Sequence, residues 1–175
     1  MGFKDARYKG FSDHAGARDA FERGPQATGS WRAHASSGSG PKPGTGWAVD
    51  AACSGNPGIM EYRGVELATG QELFHKGPFP LATNNIGEFL AIVHALSMLS
   101  GKKEKIAVYS DSGTAIGWVK NGKARSKLPR NEKTERIWNL LERAEDWLRQ
   151  HPASPSLLKW HTSVWGEIPA DFGRK

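Results

Sequence analysis

Hydrophobic residues first change their spacing along this chain near residue 84, and that change restricts the fold class. Before it, the segments read as strands. Trp47-Ala48-Val49-Asp50-Ala51-Ala52-Cys53 has the make-up of a buried strand. Gly55-Asn56-Pro57-Gly58 turns the chain. Ile59 to Leu67 and Glu72 to His75, joined at Thr69-Gly70, then complete an antiparallel meander. After the change, Ile86, Phe89, Leu90, Val93, Leu96 and Leu99 recur at helical spacing, which predicts an amphipathic helix over 85–100. Lys105 to Ser110 reads as a short strand, 112–119 as a helix capped by Ser112, and 120–130 as a basic, turn-rich stretch. A helix follows over 131–149, with Ile137, Leu140, Leu141, Ala144 and Leu148 on one face, and Leu157 to His161 is a last strand. Strands in a meander followed by helix, strand, helix, helix and strand predict an α/β fold, a five-stranded mixed sheet flanked by helices.

The segment ahead of this pattern is different. Residues 23–45 are rich in Gly, Ser and Pro, and Ala35-Ser36-Ser37-Gly38-Ser39-Gly40 has too little apolar surface to offset its ordering entropy, so a flexible linker is expected there. That divides the chain into 1–22, the linker 23–45 and a main domain over 46–175. No run approaches the ~18 apolar residues that cross a bilayer, and Met1-Gly2-Phe3-Lys4-Asp5 has no apolar core of a signal peptide. A cytoplasmic monomer with no membrane partner is the expectation. A single cysteine, Cys53, excludes an internal disulfide and a Cys-rich zinc site. The net charge of +6 suits a polyanionic partner and solubility equally well.

Four carboxylates stand at or near the ends of core elements. Asp50 is the odd residue in its apolar strand, where an ionised group costs several kcal/mol unless it is paired or bound to a metal. Asp111 ends the other apolar strand, at the edge where open α/β sheets place ligands. Glu88 lies in the first turn of the 85–100 helix, and Asp171 follows Ile168-Pro169-Ala170. Singly, each has an ordinary structural reading: an ion pair with a buried arginine, a helix cap, a favourable dipole contact, a surface turn. Together they form an oxygen-rich set with no competing cysteines or paired histidines, which selects hard cations such as Mg²⁺ or Mn²⁺. Two such cations on clustered carboxylates are a device for cleaving phosphodiesters.

At this point the residues match a known family. Val49-Asp50-Ala51-Ala52-Cys53-Ser54-Gly55-Asn56-Pro57-Gly58 resembles the first motif of type 1 ribonuclease H. Thr83-Asn84-Asn85-Ile86-Gly87-Glu88 is similar to its second, Tyr109-Ser110-Asp111-Ser112 to its third, and Lys159-Trp160-His161 with Asp171 to its fourth. The resemblance covers about residues 46–175 and implies a ribonuclease H-like fold and an endonuclease that cleaves the RNA strand of RNA–DNA hybrids, leaving 5′-phosphate and 3′-hydroxyl ends. It also implies two Mg²⁺ ions, with Asp50 bridging them, Asp171 holding the one that activates water, and Glu88 and Asp111 holding the one near the leaving group. His161, ten residues before Asp171, matches a loop histidine that assists proton transfer and product release. Asn56, Asn84, Asn85 and backbone groups near Cys53 match positions that read the minor groove and the RNA hydroxyls. Thr83 and Asn131 match a pocket that grips a DNA phosphate. A 3′–5′ exonuclease of similar sheet would carry Asp-x-Glu on the first strand, whereas here Ala52 stands two residues after Asp50.

The chain also departs from the family pattern. Leu81 stands where an arginine often flanks the phosphate pocket, and Gly113 where a larger residue is usual. Trp160 precedes His161, and Trp165-Gly166-Glu167 occupies the loop that follows. The basic handle is shortened, with Lys120, Lys123, Arg125, Lys127 and Arg130 left to represent it as a phosphate-tracking patch. Residues 6–21 resemble the second half of a small hybrid-binding domain found ahead of many of these enzymes, so 1–22 is expected to be a remnant of it.

Overall fold

A computed structural model describes residues 40–152 and 156–173. The hybrid-binding remnant expected over 1–22, and the linker as far as residue 39, lie outside the described residues. The last linker residues touch the main domain: the Trp165 indole donates to the Gly40 carbonyl (3.0 Å), and the Lys42 ammonium stands 5.5 Å over the Trp160 ring.

The meander forms β1 (Trp47–Cys53), β2 (Gly58–Glu66) and β3 (Glu72–Ala82). There follow α1 (Asn84–Leu99), β4 (Val108–Ser110), α2 (Gly113–Lys120), α3 (Glu135–Gln150), β5 (Leu157–Lys159) and a single turn, α4 (Thr162–Trp165). The five strands lie in the order β3-β2-β1-β4-β5. β1 pairs antiparallel with β2, and β2 with β3; β4 runs parallel to β1 and to β5. This is the mixed sheet that the order of periodicities predicts.

Four boundaries differ by two residues or more. β3 continues to Ala82 instead of stopping at His75. Gly77-Pro78 and Pro80 read as a loop, yet on an edge strand a missing N–H leaves no ladder bond unmade. The strand expected over 105–110 is ordered as a ladder only at Val108–Ser110, and the last strand stops at Lys159. α3 begins at Glu135, because Asn131 to Thr134 form a turn in which the Asn131 Oδ1 accepts from the Lys133 and Thr134 amides (3.0 and 3.3 Å).

Side-chain alternation along β1 separates two cores. Trp47, Val49 and Ala51 pack into the larger one with α1, α2 and α3; Ala48 packs into a smaller one with Val65, Trp160, Ile168 and Ala170. Asp50 follows Ala48 by two and shares its face. α1 is apolar nearly all round rather than along the stripe expected, with every residue from Ile86 to Val93 buried. It lies between the sheet and the other two long helices, and a helix covered on all sides has no polar face.

Gly87 lets α1 approach the sheet. A Cβ there would stand 2.7 Å from the Ala51 Cβ and 2.8 Å from the Met60 sulfur. Gly87→Ala therefore overpacks the α1–sheet contact. It is expected to lower stability by about 1–3 kcal/mol, read as a drop in thermal midpoint; an unchanged midpoint would show that the helix shifts freely.

Candidate active site

Acidic side chains reach one place from separate elements. β1 and β4 are parallel, with Trp47 beside Val108 and Ala48 beside Tyr109. Carrying that register two residues further sets Asp111 next to Asp50. Glu88 is delivered by α1, one residue after the glycine that seats the helix. One oxygen from each of Asp50, Glu88 and Asp111 lies within 4.8 Å of the others. Asp50 and Glu88 are 8% and 9% exposed, and Asp111 is half-buried. Asp171 stands outside this tight group, but its charge reaches both Asp50 and Asp111.

Burial and mutual repulsion make these groups hard to ionise. Desolvation is the main cause that pushes Asp50 up to about 7; the Ala51 amide opposes it, and the charges of Asp111, Glu88 and Asp171 add to it in that order. Glu88 is raised first by burial and also by Asp111, and is relieved by a hydrogen bond from Ser112 and by Lys159. Burial is again the main cause at Asp111, with Asp171 and Glu167 adding to it and Lys159 opposing. The supporting contacts are specific. The Asn84 amide donates to Glu88 Oε1 (2.9 Å), the Ser112 hydroxyl also caps α2 by accepting from the Ala115 amide (3.1 Å), and the Lys159 ammonium donates to the Asp111 carbonyl. The fourth motif contains Lys159 without marking it as a charge acting on the acids, and Glu167 gives no signal because it interrupts no apolar segment.

An ion pair between Asp50 and a buried arginine is the ordinary alternative, and β2 does place an arginine directly opposite, at Arg63. Its guanidinium is directed elsewhere, to the carbonyls of Ala170 (2.9 Å) and Asp171 (2.6 Å). Among the described residues, Lys159 is the cation that acts on Glu88 and Asp111. An all-oxygen donor set with excess negative charge fits a hard divalent cation. Asp50, Glu88 and Asp111 could hold such an ion together, each offering an oxygen within 4.8 Å of the others.

Beside this group lies a groove of about 470 Å³ lined by Asn56, Pro57, Thr83 and Asn85 on one side and by Thr114, Trp118 and residues 125–129 on the other. Three of the predicted substrate-binding residues, Asn56, Thr83 and Asn85, face it. Asn84 is turned to Glu88, and the half-buried Cys53 donates its thiol to the Ala82 carbonyl (3.4 Å). Asn131 is not among the lining residues; its side-chain oxygen closes the turn before α3. His161 is half-buried, caps α4 and stands edge-on to Trp165 (5.2 Å between centroids); it is not among the groups shifting the carboxylates. The basic stretch divides. Lys123 pairs with Glu145 (2.6 Å), and Arg130 with Glu135 and Glu142 (2.7 and 2.5 Å), all on α3. Lys120 lines a separate concavity between α2 and α3. Of the five expected, Arg125 and Lys127 reach the groove.

The sheet order and the buried acidic pocket define an α/β protein built to hold divalent cations beside an open groove. A family profile for RNase H matches residues 43–172. The chain is 34% identical over 150 residues to the ribonuclease H of Nitratidesulfovibrio vulgaris (strain DSM 19637 / Miyazaki F), covering 71% of this chain and 92% of that one. It is 34% identical over 130 residues to the ribonuclease H of Ruegeria sp. (strain TM1040), covering 61% and 80%. A solved structure, the RNase H1 of Halobacterium salinarum NRC-1, is 19% identical over 72% of this chain and 92% of its own, with a TM-score of 0.47. On the sequence matches, the chain belongs to the ribonuclease H family.

Because the Asp50 carboxyl is raised from 3.8 to about 7, the folded protein holds a proton that the unfolded chain has released between those values. Without divalent cations this contribution to stability is present below the unfolded value and is lost as pH rises through the folded one. Cation binding must displace the proton. Mg²⁺ or Mn²⁺ is therefore expected to raise the thermal midpoint more at pH 8 than at pH 5.5, relative to matched melts with chelator. Comparing melts with and without cation at each pH cancels His94, lowered by burial and then by Lys76, which stabilises with the opposite sign. Equal increments at both pH values would refute the raised carboxyl.

Proposed function

We propose that the chain is an endoribonuclease that hydrolyses the RNA strand of RNA–DNA hybrids by two-metal-ion catalysis, giving 5′-phosphate and 3′-hydroxyl ends. The observation that carries this reading is the convergence of Asp50, Glu88 and Asp111, 61 residues apart from first to last, within 4.8 Å. Family membership supports the same activity. Mg²⁺ is the proposed ion, with Mn²⁺ as a substitute; when bound, the pair would activate water and steady the leaving oxygen.

The protein's own groups have distinct tasks in this reading. Asp50, at the centre, would help to hold both ions. Glu88 and Asp111 serve the leaving-group side, with Asn84 and Ser112 fixing the Glu88 carboxylate, and Asp171 serves the water side. His161 is assigned proton transfer and release of product. The groove receives the duplex: Asn56 and Asn85, with Asn84 and the backbone at Cys53, meet the minor groove, where the 2′-hydroxyl separates RNA from DNA. Thr83 takes a DNA phosphate, a contact that fixes register without reading sequence, and Asn131 supports the loop opposite. The proposed working unit is a monomer in the cytoplasm, with a hybrid-binding remnant over 1–22 and a linker over 23–45 ahead of the catalytic domain. Among the described residues no helix is long and apolar enough to cross a membrane.

Asp50→Asn removes a charged ligand at nearly constant volume. Cleavage of a labelled RNA–DNA duplex with Mg²⁺ is expected to fall by about 10²–10³-fold or more, with duplex binding retained; undiminished cleavage would end the proposal. Arg125→Ala and Lys127→Ala are each expected to lower the slope of log Kd against log salt by about one, measured by anisotropy. Lys123→Ala, whose ammonium is already held by Glu145, should leave that slope near wild type.

A further inference from the structure

The fourth acid has the least secondary structure around it. Asp50, Glu88 and Asp111 are carried by or directly follow β1, α1 and β4. Asp171 lies after a turn, in backbone that belongs to no strand or helix. Within its own segment it is held by its amide, which donates to the Ile168 carbonyl (2.8 Å), and by its Oδ2, which accepts from the Gly173 amide (2.9 Å). Neither bond connects it to the sheet. Ile168 and Ala170 pack on Ala48 and Val65 of the sheet, and among the described residues the hydrogen bonds that join the segment to β2 come from Arg63. Its Nε donates to the Ala170 carbonyl at 2.9 Å and its Nη2 to the Asp171 carbonyl at 2.6 Å, so one guanidinium grips two successive peptide units. Its carbon stands 4.8 Å over the Phe172 ring, and Nη1 contacts Glu72 of β3 (3.4 Å). The arrangement continues outward: Phe172 is edge-on to His75 (5.7 Å), which bonds Glu61 (2.9 Å).

The position of Arg63 in the sheet gives this grip its meaning. It is the register partner of Asp50 across β1–β2, and directly opposed residues in an antiparallel pair point to the same face. One end of the arginine is therefore fixed beside the central carboxylate, and the other holds the backbone that carries the fourth. An arginine placed there to neutralise Asp50 would turn its charge toward it. The groups that act on Asp50 are instead the Ala51 amide and the other acids.

We propose that Arg63 is a positioning residue, its planar fork tying the 170–172 backbone to β2 so that the Asp171 carboxylate faces the Asp50–Glu88–Asp111 group. This rests on the reading of Asp171 as the fourth metal ligand. Supporting groups of this kind typically contribute 10–100-fold in metal affinity or activity. The fork is essential to the argument: lysine keeps the charge but presents a single flexible ammonium that cannot hold two carbonyls in one plane.

The test compares full-length wild type with Arg63→Lys and Arg63→Met, using three measurements. The first is the Mg²⁺ concentration for half-maximal cleavage of an RNA–DNA duplex. The second is Mn²⁺ affinity of the free protein by calorimetry, and the third is hydrogen exchange of the peptide over 168–173. Both variants are expected to need about 10–100-fold more Mg²⁺, to bind Mn²⁺ more weakly by a similar factor, and to exchange faster at 168–173, with affinity for the duplex unchanged. Arg63→Lys, the milder change, still decides the matter if Arg63→Met fails to fold. Wild-type behaviour of Arg63→Lys would show that charge and not the fork matters, and would overturn the inference. A lowered thermal midpoint with unchanged Mg²⁺ and Mn²⁺ dependence would overturn it as well, leaving an ordinary structural contact. Wild type that binds Mn²⁺ yet leaves the hybrid intact would overturn the hydrolase reading instead, and this inference with it.

Discussion

Crowding carboxylates at one side of a sheet is opposed twice, by lost hydration and by mutual repulsion, and much of this fold can be understood as the structure needed to sustain it. Burial does most to disfavour ionisation at Asp50, Glu88 and Asp111 alike, and repulsion between the acids adds to it. Side chains under such stress move apart unless the backbone carrying them is rigid, and rigid elements hold a constellation better than loops do. Two of the three are therefore mounted on the best-packed parts of the molecule. β1 is buried from Trp47 to Ala51, and α1 from Ile86 to Val93.

The same economy appears in the contacts around the acids, several of which have two tasks. Ser112 caps α2 and relieves Glu88. Gly87 removes a side chain from the helix–sheet contact and thereby sets the depth at which Glu88 is delivered. Lys159 ties the end of β5 to the Asp111 carbonyl while tempering two of the acids. The loop across the groove is held at both ends by α3, through Glu145 on Lys123 and the Ala124 amide and through Glu135 and Glu142 on Arg130. Exposed ion pairs contribute little stability singly. Several converging on one short loop restrict its shape, leaving Arg125 and Lys127 displayed between the fixed ends.

Much of this is legible in the sequence wherever a residue contradicts its surroundings. Asp50 stands out because an acid in Trp47–Cys53 breaks an apolar run, and Asp111 because it ends another. The helical spacing from Ile86 to Leu99 is sufficient to find α1, but apolar spacing counts a stripe and does not report what covers the other faces. Pattern alone stops β3 at His75 because Gly77, Pro78 and Pro80 are punctuation in any interior strand; knowing that they fall on an edge requires the topology. The start of α3 escapes it because Asn131 and Thr134 satisfy each other's backbone in a turn that helical periodicity overlooks. Arg63 gives no signal at all. A charged residue in an alternating strand reads as facing water, and the carbonyls it holds are more than a hundred residues away.

The sheet's two outer strands are also unlike the rest. β3 carries Pro78 and Pro80 and slips register against β2 at several points, and β5 is three residues long. Prolines, bulges and short strands are the means by which natural sheets decline to pair edge to edge. Neither border offers a foreign strand a flat, continuous ladder to extend. Copies of the molecule at high local concentration thus have little means of zipping together edge to edge.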